Sequence, residues 1–476
     1  MKYLSKIIMP GLLAYGVLLG LLCIYNDYSI SALMPLAPIV YGLVFGFVYV
    51  KRRRAFDSIV VLMLFAIWFL RLVLIPCIYV MSGYTSNIQT SAGTDNLNMA
   101  VLLVGYEFIT VGIFLVTSRK ISVICNTVQS EGVNSSNKTK QFVRIMVIAI
   151  IMVAILCVLR NRSVLAAISS IFEKLAGTKE SAIERRREFL WVRSNSRLVF
   201  QLFFNAVYYL QILIPASLIT FVINKRNKVG SNTRGYFLCL LIAASSVLIT
   251  TDNNIDSVCI MVACLLVIII SYRNTVAHKI PFLIGLVGLF IFYFLFTKAG
   301  TFAATSGTNN SAGNALEGIS ATLCAYFSAI PNVSAGLAMR YSNKLSTLFG
   351  DIVAGIPYMA AFFRGYPTSV TIYNEVVHGY TGVVNQIVPL IISGYKFFGP
   401  FAPVLTVLTY CIALNMEIKM RKSHVVFNQV LFAVFVVNLA IGPCIFGFPN
   451  TIKRLCHFVP LIILANINER VTLNER

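Results

Sequence analysis

Long apolar runs recur along almost the whole chain and constrain its fold more than any other feature. A helix needs about 20 apolar residues to cross the roughly 30 Å hydrocarbon core of a bilayer. Only 12% of the 476 residues are charged, whereas soluble domains carry about 25%. The sequence therefore predicts an all-α, polytopic integral membrane protein. We predict about twelve membrane-spanning helices, at 7–25, 30–50, 58–81, 98–117, 143–159, 198–223, 235–250, 255–272, 280–297, 390–416, 425–446 and 455–467.

The basic residues of the short connections predict how these helices are oriented. Alternating spans place five basic connections on one side of the membrane, and the positive-inside rule makes that side cytoplasmic. Both termini then lie in the cytoplasm. The first apolar run lacks a small-residue cleavage site, so we interpret it as a retained span rather than a signal peptide. The five basic connections are 51–54, 119–144, 225–234, 273–279 and 419–422.

Net charge and missing motifs exclude several classes of protein. The net charge of +22 would suggest a nucleic-acid partner in a soluble protein, but the positive-inside rule explains most of it here. The eleven cysteines form no CxxC or Cys/His cluster, so neither a metal site nor a disulfide framework is predicted. There is no phosphate loop, no GxSxG and no HExxH. We therefore expect no nucleic-acid partner, no metal and no other cofactor.

Two predicted outer segments carry positive charge against the general rule. The loop 160–197 holds nine basic residues and four glutamates, and a short turn predicted before the last span carries Lys453 and Arg454. Charges at helical spacing can pair with each other, which would make the loop a solvated helix. Alternatively, the planar guanidinium groups bind phosphate bidentately and form an anion site. The nine basic residues are Arg160, Arg162, Lys174, Lys179, Arg185, Arg186, Arg187, Arg193 and Arg197.

The longest stretch without a clear span is the predicted outer loop 298–389. It is rich in Gly, Ser, Asn and aromatic residues and contains short amphipathic runs. We therefore expect a folded lobe of short helices, within which 314–330 and 346–363 are candidates to enter the membrane. The predicted organisation is one membrane domain, 1–476, that carries two large outer loops, 160–197 and 298–389.

Arg71 stands in the middle of a predicted span, in the sequence AIWFLRLVLIP. An ionisable residue at membrane depth is a candidate functional residue. The alternative is a structural ion pair inside the helix bundle. The sequence leaves both interpretations open.

The whole arrangement resembles the bacterial oligosaccharide repeat-unit polymerases (O-antigen and capsule, Wzy-type). The resemblance rests on about twelve spans, an Arg-rich outer loop at 160–197, the large loop, and the segment NQIVPLIISGYKFFGPFAPVL at 385–405. In that segment an apolar helix leads to an aromatic–Gly turn, Gly394 to Gly399. Related ligases carry a His beside the polar residue before this helix. Val384-Asn385 stands there instead, which favours a polymerase over a ligase. The resemblance implies a GT-C-like fold.

The resemblance implies a donor glycan on polyprenyl diphosphate and a lipid-linked repeat unit as acceptor, in the bacterial cytoplasmic membrane. A leaving diphosphate needs preorganised cations, which we assign first to Arg340 and Arg364. The outer candidates for a general base are His378, Glu375 and Asp351, although His378 and Glu375 also fit an exposed loop pair. Further diphosphate-binding candidates are Arg160, Arg185, Arg186, Arg187, Arg193, Lys453 and Arg454, and the tyrosines proposed to stack on sugars are Tyr366, Tyr373 and Tyr380.

Alternatives of other classes remain open at this point. A flippase of lipid-linked oligosaccharides or a drug/proton antiporter also has about twelve spans, but the two halves of this chain show no repeat of the kind many transporters have. An O-antigen ligase-like glycosyl transferase and a non-catalytic export scaffold are further alternatives. The expected partners are polyprenyl-diphosphate-linked glycans and membrane lipids, with a chain-length regulator and a flippase as possible protein partners.

Overall fold

The computed structural model describes most of the chain, with gaps that include the predicted span 280–297. The described ranges are 15–25, 32–86, 88, 93–127, 137–170, 188, 191–192, 196–226, 232–247, 249–250, 254–272, 315–363, 365–378 and 387–474.

The regular secondary structure of the described residues is helical apart from one pairing of two short strands. The pairing is antiparallel, between β1 (Ser169–Ser170) and β2 (Ile249–Thr250). The predicted all-α character is therefore confirmed for this part of the chain. The helices are α1 (Tyr15–Tyr25), α2 (Leu36–Lys51), α3 (Ile59–Met81), α4 (Leu97–Thr117), α5 (Arg119–Asn126), α6 (Asn137–Arg160), α7 (Arg197–Arg226), α8 (Asn232–Ser245), α9 (Asn254–Ser271), α10 (Ala315–Tyr326), α11 (Ile330–Leu337), α12 (Lys344–Gly355), α13 (Met359–Phe362), α14 (Ser369–His378), α15 (Leu390–Phe398), α16 (Val404–Lys422), α17 (Val426–Ile445) and α18 (Phe448–Asn474).

Among the described residues, five helices are long and apolar enough to cross a membrane. They match predicted spans closely, and a sixth crossing is present if the bent pair α15–α16 counts as one span. These helices confirm the general prediction of a membrane protein. The number twelve and the orientation stay predictions. The five segments are Ile59–Met81, Leu97–Thr117, Lys140–Arg160, Arg197–Lys225 and Val426–Ile445.

Other predicted spans differ from the helices observed. The described part of the first span is the helix α1, and α2 and α8 are also shorter than the predicted spans. The last predicted span, 455–467, lies inside the 27-residue α18, which already begins at Phe448. Lys453 and Arg454 are consequently helical residues, and the turn predicted at this point is wrong.

The predicted span 390–416 is not one continuous helix. α15 and α16 meet at an angle of 110°. Gly399 ends α15 with a left-handed φ of 59°, a conformation that glycine adopts without strain. Pro400 and Pro403 follow, and their missing N–H groups prevent the helical hydrogen bonds from continuing through the bend.

The chain divides into two compact units. Unit 1 contains Met1–Asn126, Ile291–Asn415 and Leu439–His457, and unit 2 contains Thr127–Phe290, Met416–Asn438 and Phe458–Arg476. The single membrane domain stays a prediction of the sequence. Each unit has its own apolar core.

The core of unit 1 contains a cluster of aromatic rings. Tyr41 stacks on Phe108 with 5.6 Å between ring centroids, and Trp68 stacks on the same phenylalanine at 4.6 Å. Phe65 meets both Tyr41 and Phe108 edge to face. Such pairs add to the stability provided by apolar burial. They join α2, α3 and α4 into one bundle.

Unit 2 combines an apolar cluster with a polar network. Phe200 and Phe203 of α7 are buried with Val164 and Val192. Elsewhere in the unit, Glu469 accepts hydrogen bonds from the Ser423 hydroxyl, the His424 N–H and the Asn428 side chain. The network ties α17 to the end of α18 in this unit.

A substitution at Gly394 in α15 tests the close packing at the bend between α15 and α16. A Cβ at this position would overlap the carbonyl oxygen of Ala402, and a backbone atom cannot rotate away. We expect Gly394→Ala to lower the free energy of unfolding by about 1–3 kcal/mol, measured by thermal unfolding in detergent. The control is Gly442→Ala in α17, where the nearest side-chain atom is 3.6 Å away. There alanine should be neutral or stabilising, and equal midpoints for both variants would contradict the prediction.

Candidate functional site

The described part of the large loop is folded, as predicted, into the short helices α10 to α14. The loop residues outside the description are 298–314, Arg364 and 379–386. Helix α11 is buried along almost its whole length. Helix α12 begins at an Asn343 side chain that accepts a hydrogen bond from the Ser346 N–H at 3.1 Å, the usual geometry of an N-cap. These helices place a polar cluster in the interior of the lobe.

Asp351 is the centre of this cluster. The side chain is fully buried on α12, and its Oδ1 accepts a hydrogen bond from the Ser369 N–H at 2.8 Å. Ser369 is the first residue of α14, so the carboxyl group faces the N-terminus of that helix. The unpaired N–H groups and the helix dipole favour negative charge there. Asp351 is thereby fixed between α12 and α14.

Three further polar atoms of the cluster lack a hydrogen bond of normal geometry within the described part of the chain. They are Asp351 Oδ2 and the hydroxyl groups of Ser369 and Tyr341. Tyr341 is close enough to Asp351 for the carboxyl to help raise the pKa of the tyrosine, after the larger effect of burial. The Ser369 hydroxyl is near enough to Asp351 and to Tyr341 to lower the pKa of both groups, so the three groups form one polar cluster with hydrogen-bonding capacity for a ligand hydroxyl.

Burial also changes the acidity of Asp351. It raises the pKa of this carboxyl from 3.8 to about 6, while the Ser369 hydroxyl and N–H act in the opposite direction. A carboxylate with a pKa just below neutrality is ionised at pH 7 and is basic enough to accept a proton from a hydroxyl. The cluster therefore has the properties of a general-base site.

Three cations belong to the chain segments that form or adjoin the cluster, namely Arg340, Lys344 and Lys396. Lys396 of α15 donates hydrogen bonds to the carbonyl oxygens of Leu337 at 2.8 Å and Met339 at 2.7 Å. It thereby holds the end of α11 close to Tyr341. Lys344 is exposed and interacts electrostatically with Lys396, and Arg340 is exposed as well. Sequence reasoning did not single out Lys396, Lys344 or Tyr341 for this role.

The remaining candidates of the large loop take different positions. Glu375 is exposed on α14, and His378 is the last residue of the same helix. Tyr373 is fully buried, and its hydroxyl donates to the Asn332 carbonyl oxygen at 3.3 Å. Its ring is covered by protein, so the proposed stacking on a sugar is not possible in this conformation. Tyr366 is partly exposed. Arg364 and Tyr380 lie outside the described residues.

The predicted arginine cluster of the outer loops is only partly described. Arg160 is exposed at the end of α6 in unit 2. In unit 1, Lys453 is half-buried and the Arg454 guanidinium lies 3.5 Å from the centroid of the Phe446 ring. A joint phosphate site of these groups stays a prediction. Arg185, Arg186, Arg187 and Arg193 lie outside the described residues.

Arg71 belongs to a second polar centre in unit 1. Its Nη1 donates to Glu107 Oε2 at 2.9 Å, and its Nε donates to the Ser328 carbonyl oxygen at 3.1 Å. The Thr406 hydroxyl donates to the other oxygen of Glu107. Arg71 and Glu107 are both fully buried. Arg71 thus has the ion-pair partner that one of the two sequence interpretations required.

A local irregularity of α3 presents Arg71 to this partner. Residues Leu70–Leu74 form a π-helical turn, in which the Ile75 N–H donates to the Leu70 carbonyl oxygen. Pro76 follows directly and cannot donate a hydrogen bond. Sequence reasoning missed Glu107, although it is the single acidic residue of the predicted span 98–117. Two opposite charges in neighbouring apolar spans are a signal that could have identified the pair.

Comparisons with protein-family models, with curated protein sequences and with solved structures find no match to this chain.

The Arg71–Glu107 pair predicts a strong coupling between two substitutions. Arg71→Met or Glu107→Met alone leaves one buried charge without its partner and should lower the free energy of unfolding by about 3–5 kcal/mol. The double variant removes both charges and should recover most of that loss. Thermal unfolding of the four proteins in detergent measures the coupling energy. Additive losses in the double variant would show that the two side chains do not depend on each other.

The raised pKa of Asp351 predicts how the free energy of unfolding depends on pH. In the folded protein the Asp351 carboxyl keeps its proton up to about pH 6, whereas in an unfolded chain the same carboxyl releases the proton near pH 3.8. Folding therefore takes up a proton between these values, and the free energy of unfolding falls as the pH rises from about 4 to about 6, by about 3 kcal/mol. Asp351→Asn should remove this component from the pH profile of the unfolding midpoint. A profile unchanged by Asp351→Asn would contradict the raised pKa.

Proposed function

We propose that the protein is a polysaccharide polymerase of the bacterial cytoplasmic membrane. It joins polyprenyl-diphosphate-linked oligosaccharide repeat units on the outer face and releases the lipid diphosphate. The observation that carries this proposal is the buried Asp351 carboxyl, fixed at the start of α14 in a lobe that also presents Arg340 and Lys344. The apolar helices of the same unit support a substrate that is anchored in the membrane.

The proposed chemistry is a single displacement. Asp351 Oδ2 accepts the proton of the acceptor sugar hydroxyl, and the hydroxyl oxygen forms a bond to the anomeric carbon of the donor. The bond from that carbon to the diphosphate oxygen breaks, and the polyprenyl diphosphate leaves with the electron pair. Arg340, Arg364 and Lys344 are the cations that stabilise the leaving group. The proton on Asp351 then passes to water.

Access to Asp351 requires a movement within the lobe. Gly350 lies so close to Pro367 that a Cβ on it would overlap the Pro367 carbonyl oxygen, and Tyr366 is the next nearest residue. The segment Tyr366–Pro367 therefore covers α12 beside Asp351. Gly365, with a φ of 93°, precedes it and is a suitable hinge because glycine tolerates such angles. In this proposal the segment opens to admit the acceptor hydroxyl.

A transporter of lipid-linked oligosaccharides is the second candidate function. It is favoured by the Arg71–Glu107 pair, because buried ionisable residues in membrane helices often belong to proton or substrate pathways. A contact within the same helix favours a structural role for the Arg71–Glu107 pair instead. The Arg71 guanidinium lies 4.8 Å from the Trp68 ring centroid. Trp68 in turn donates to the Tyr410 hydroxyl. The Arg71–Glu107 pair is thus enclosed by contacts with other side chains.

Genetic complementation separates the two functions. The gene is deleted in its host and replaced by variants whose membrane levels are checked by immunoblot. Loss of a polymerase leaves single repeat units on the surface, whereas loss of a flippase leaves none there. A surface without repeat units after deletion would therefore contradict the proposed function.

Asp351→Asn should reduce polymerisation by about 100-fold or more, because the general base is lost. Arg340→Ala and Arg364→Ala should shorten the polysaccharide ladder, because each removes a cation from the leaving group. Glu317→Gln, a half-buried position at the start of α10, is the matched control and should keep a full ladder. Full ladders from both arginine variants would refute the assignment of the cations. A full ladder from Asp351→Asn together with a lost ladder from Glu375→Gln would transfer the role of the base to Glu375.

A further inference from the structure

Helix α12 departs in part from the usual amphipathic pattern, although its Val353 is buried and its Lys344 exposed in the ordinary way. Its polar residues Thr347 and Asp351 are buried, whereas Leu345 and Phe349, which lie four residues apart on another face, are exposed. Helices on the surface of soluble proteins show the opposite pattern, with apolar residues inside. On the side of Leu345 and Phe349, α12 therefore presents apolar side chains that the described part of the chain leaves exposed.

The apolar surface extends beyond this helix. We call it the aromatic face, and its members are Leu345 (77% exposed), Phe349 (39%), Phe362 (79%), Phe363 (41%) and Tyr366 (45%). The Phe349 ring meets Phe363 at 5.7 Å and Tyr366 at 4.8 Å between centroids, both edge to face. Phe349, Phe363 and Tyr366 are therefore in contact, while Leu345 lies one helical turn before Phe349 and Phe362 directly precedes Phe363 in the chain. Contiguous apolar patches of this kind mark interaction sites.

The aromatic face is held in place by the fold of the lobe. The absence of a side chain on Gly350 lets Tyr366 and Pro367 lie directly against α12. On the opposite side of the helix, Asp351 binds the start of α14. The face is therefore presented in a defined orientation.

The charges beside the face indicate which partner it meets. Lys344 precedes Leu345 directly and is exposed, as is Arg340. The one acidic residue between positions 340 and 366 is Asp351, which is buried. Aromatic residues flanked by cations are typical of segments that lie at the boundary between lipid headgroups and acyl chains. The same unit contains apolar helices long enough to span a membrane.

We propose that the aromatic face docks into the interfacial layer of an anionic phospholipid bilayer. α12 then lies along the membrane surface, with Leu345, Phe349 and Phe362 among the upper acyl chains and with Lys344 and Arg340 at the lipid phosphates. This inference does not depend on the proposed polymerase activity. If that activity holds, docking also places the Asp351 cluster at the depth where the diphosphate of a lipid-linked substrate lies.

Fluorescence quenching of an added tryptophan tests the depth of the face. The chain has two tryptophans, so Phe362→Trp and, separately, Leu345→Trp are introduced together with Trp191→Phe. The full-length proteins are reconstituted in phosphatidylglycerol nanodiscs, with or without lipids brominated near the upper part of the acyl chains. The remaining Trp68 is fully buried. The Trp191→Phe protein alone therefore supplies the background signal that is subtracted.

We expect brominated lipid to reduce the emission of each added tryptophan by about twofold or more, and aqueous acrylamide to have little effect. Quenching by acrylamide but not by bromine would show that the face meets water, and it would overturn the proposal. Quenching by neither agent would show that protein, such as a second copy, covers the face, and it would overturn the proposal equally. Two independent tryptophan positions guard against a variant that fails to fold.

The contribution of charge is tested in the Phe362→Trp protein. Lys344→Glu should increase quenching by acrylamide, a neutral molecule, in phosphatidylglycerol but not in phosphatidylcholine, because repulsion between Glu and lipid phosphate acts only in the anionic bilayer. Lys344→Gln is the matched control and should show a smaller increase. The same quenching in both lipids would overturn the assignment of an anionic lipid surface.

Discussion

The ion pair between Arg71 and Glu107 is the interaction on which the rest of unit 1 depends. Both side chains are fully buried, and neither charge is stable in such surroundings without the other. The pair forms only when α3 and α4 lie side by side, and the Thr406 hydroxyl brings α16 to the same carboxylate. The buried ion pair therefore requires α3, α4 and α16 to pack in one arrangement.

The same arginine fixes where the large lobe begins. Its Nε binds the carbonyl oxygen of Ser328, a residue with a left-handed φ of 44° between α10 and α11. Non-glycine residues adopt such angles only when their surroundings stabilise them. Helix α11 then packs against α4, where the Asn96 N–H donates to the Ser334 hydroxyl at 3.1 Å. The lobe is in this way a continuation of the helix bundle of unit 1.

Predictions succeeded where the structure depends on a property of a short segment, and they failed where it depends on contacts between distant segments. Five predicted spans coincide with long helices because apolar length is a local property, visible in any window of about 20 residues. The break at Gly399 also has local causes, and the two prolines that follow it were visible in the sequence. The predicted turn at Lys453 and Arg454 failed because a helix can start with polar residues before its apolar section. Glu107 was overlooked although it stands in the predicted span that follows the span of Arg71, and only the structure shows that these two helices lie side by side.

The sequence by itself determined that this chain is a helical membrane protein with a folded lobe, because composition and apolar periodicity are properties of short segments. Only the tertiary structure decided which polar residues meet. Asp351 and Ser369 are separated by 18 positions, and Arg71 and Ser328 by 257, distances over which no local pattern carries information. The exposure of Leu345 and Phe349 was equally hidden, since a helical pattern defines two faces but does not say which one the protein buries.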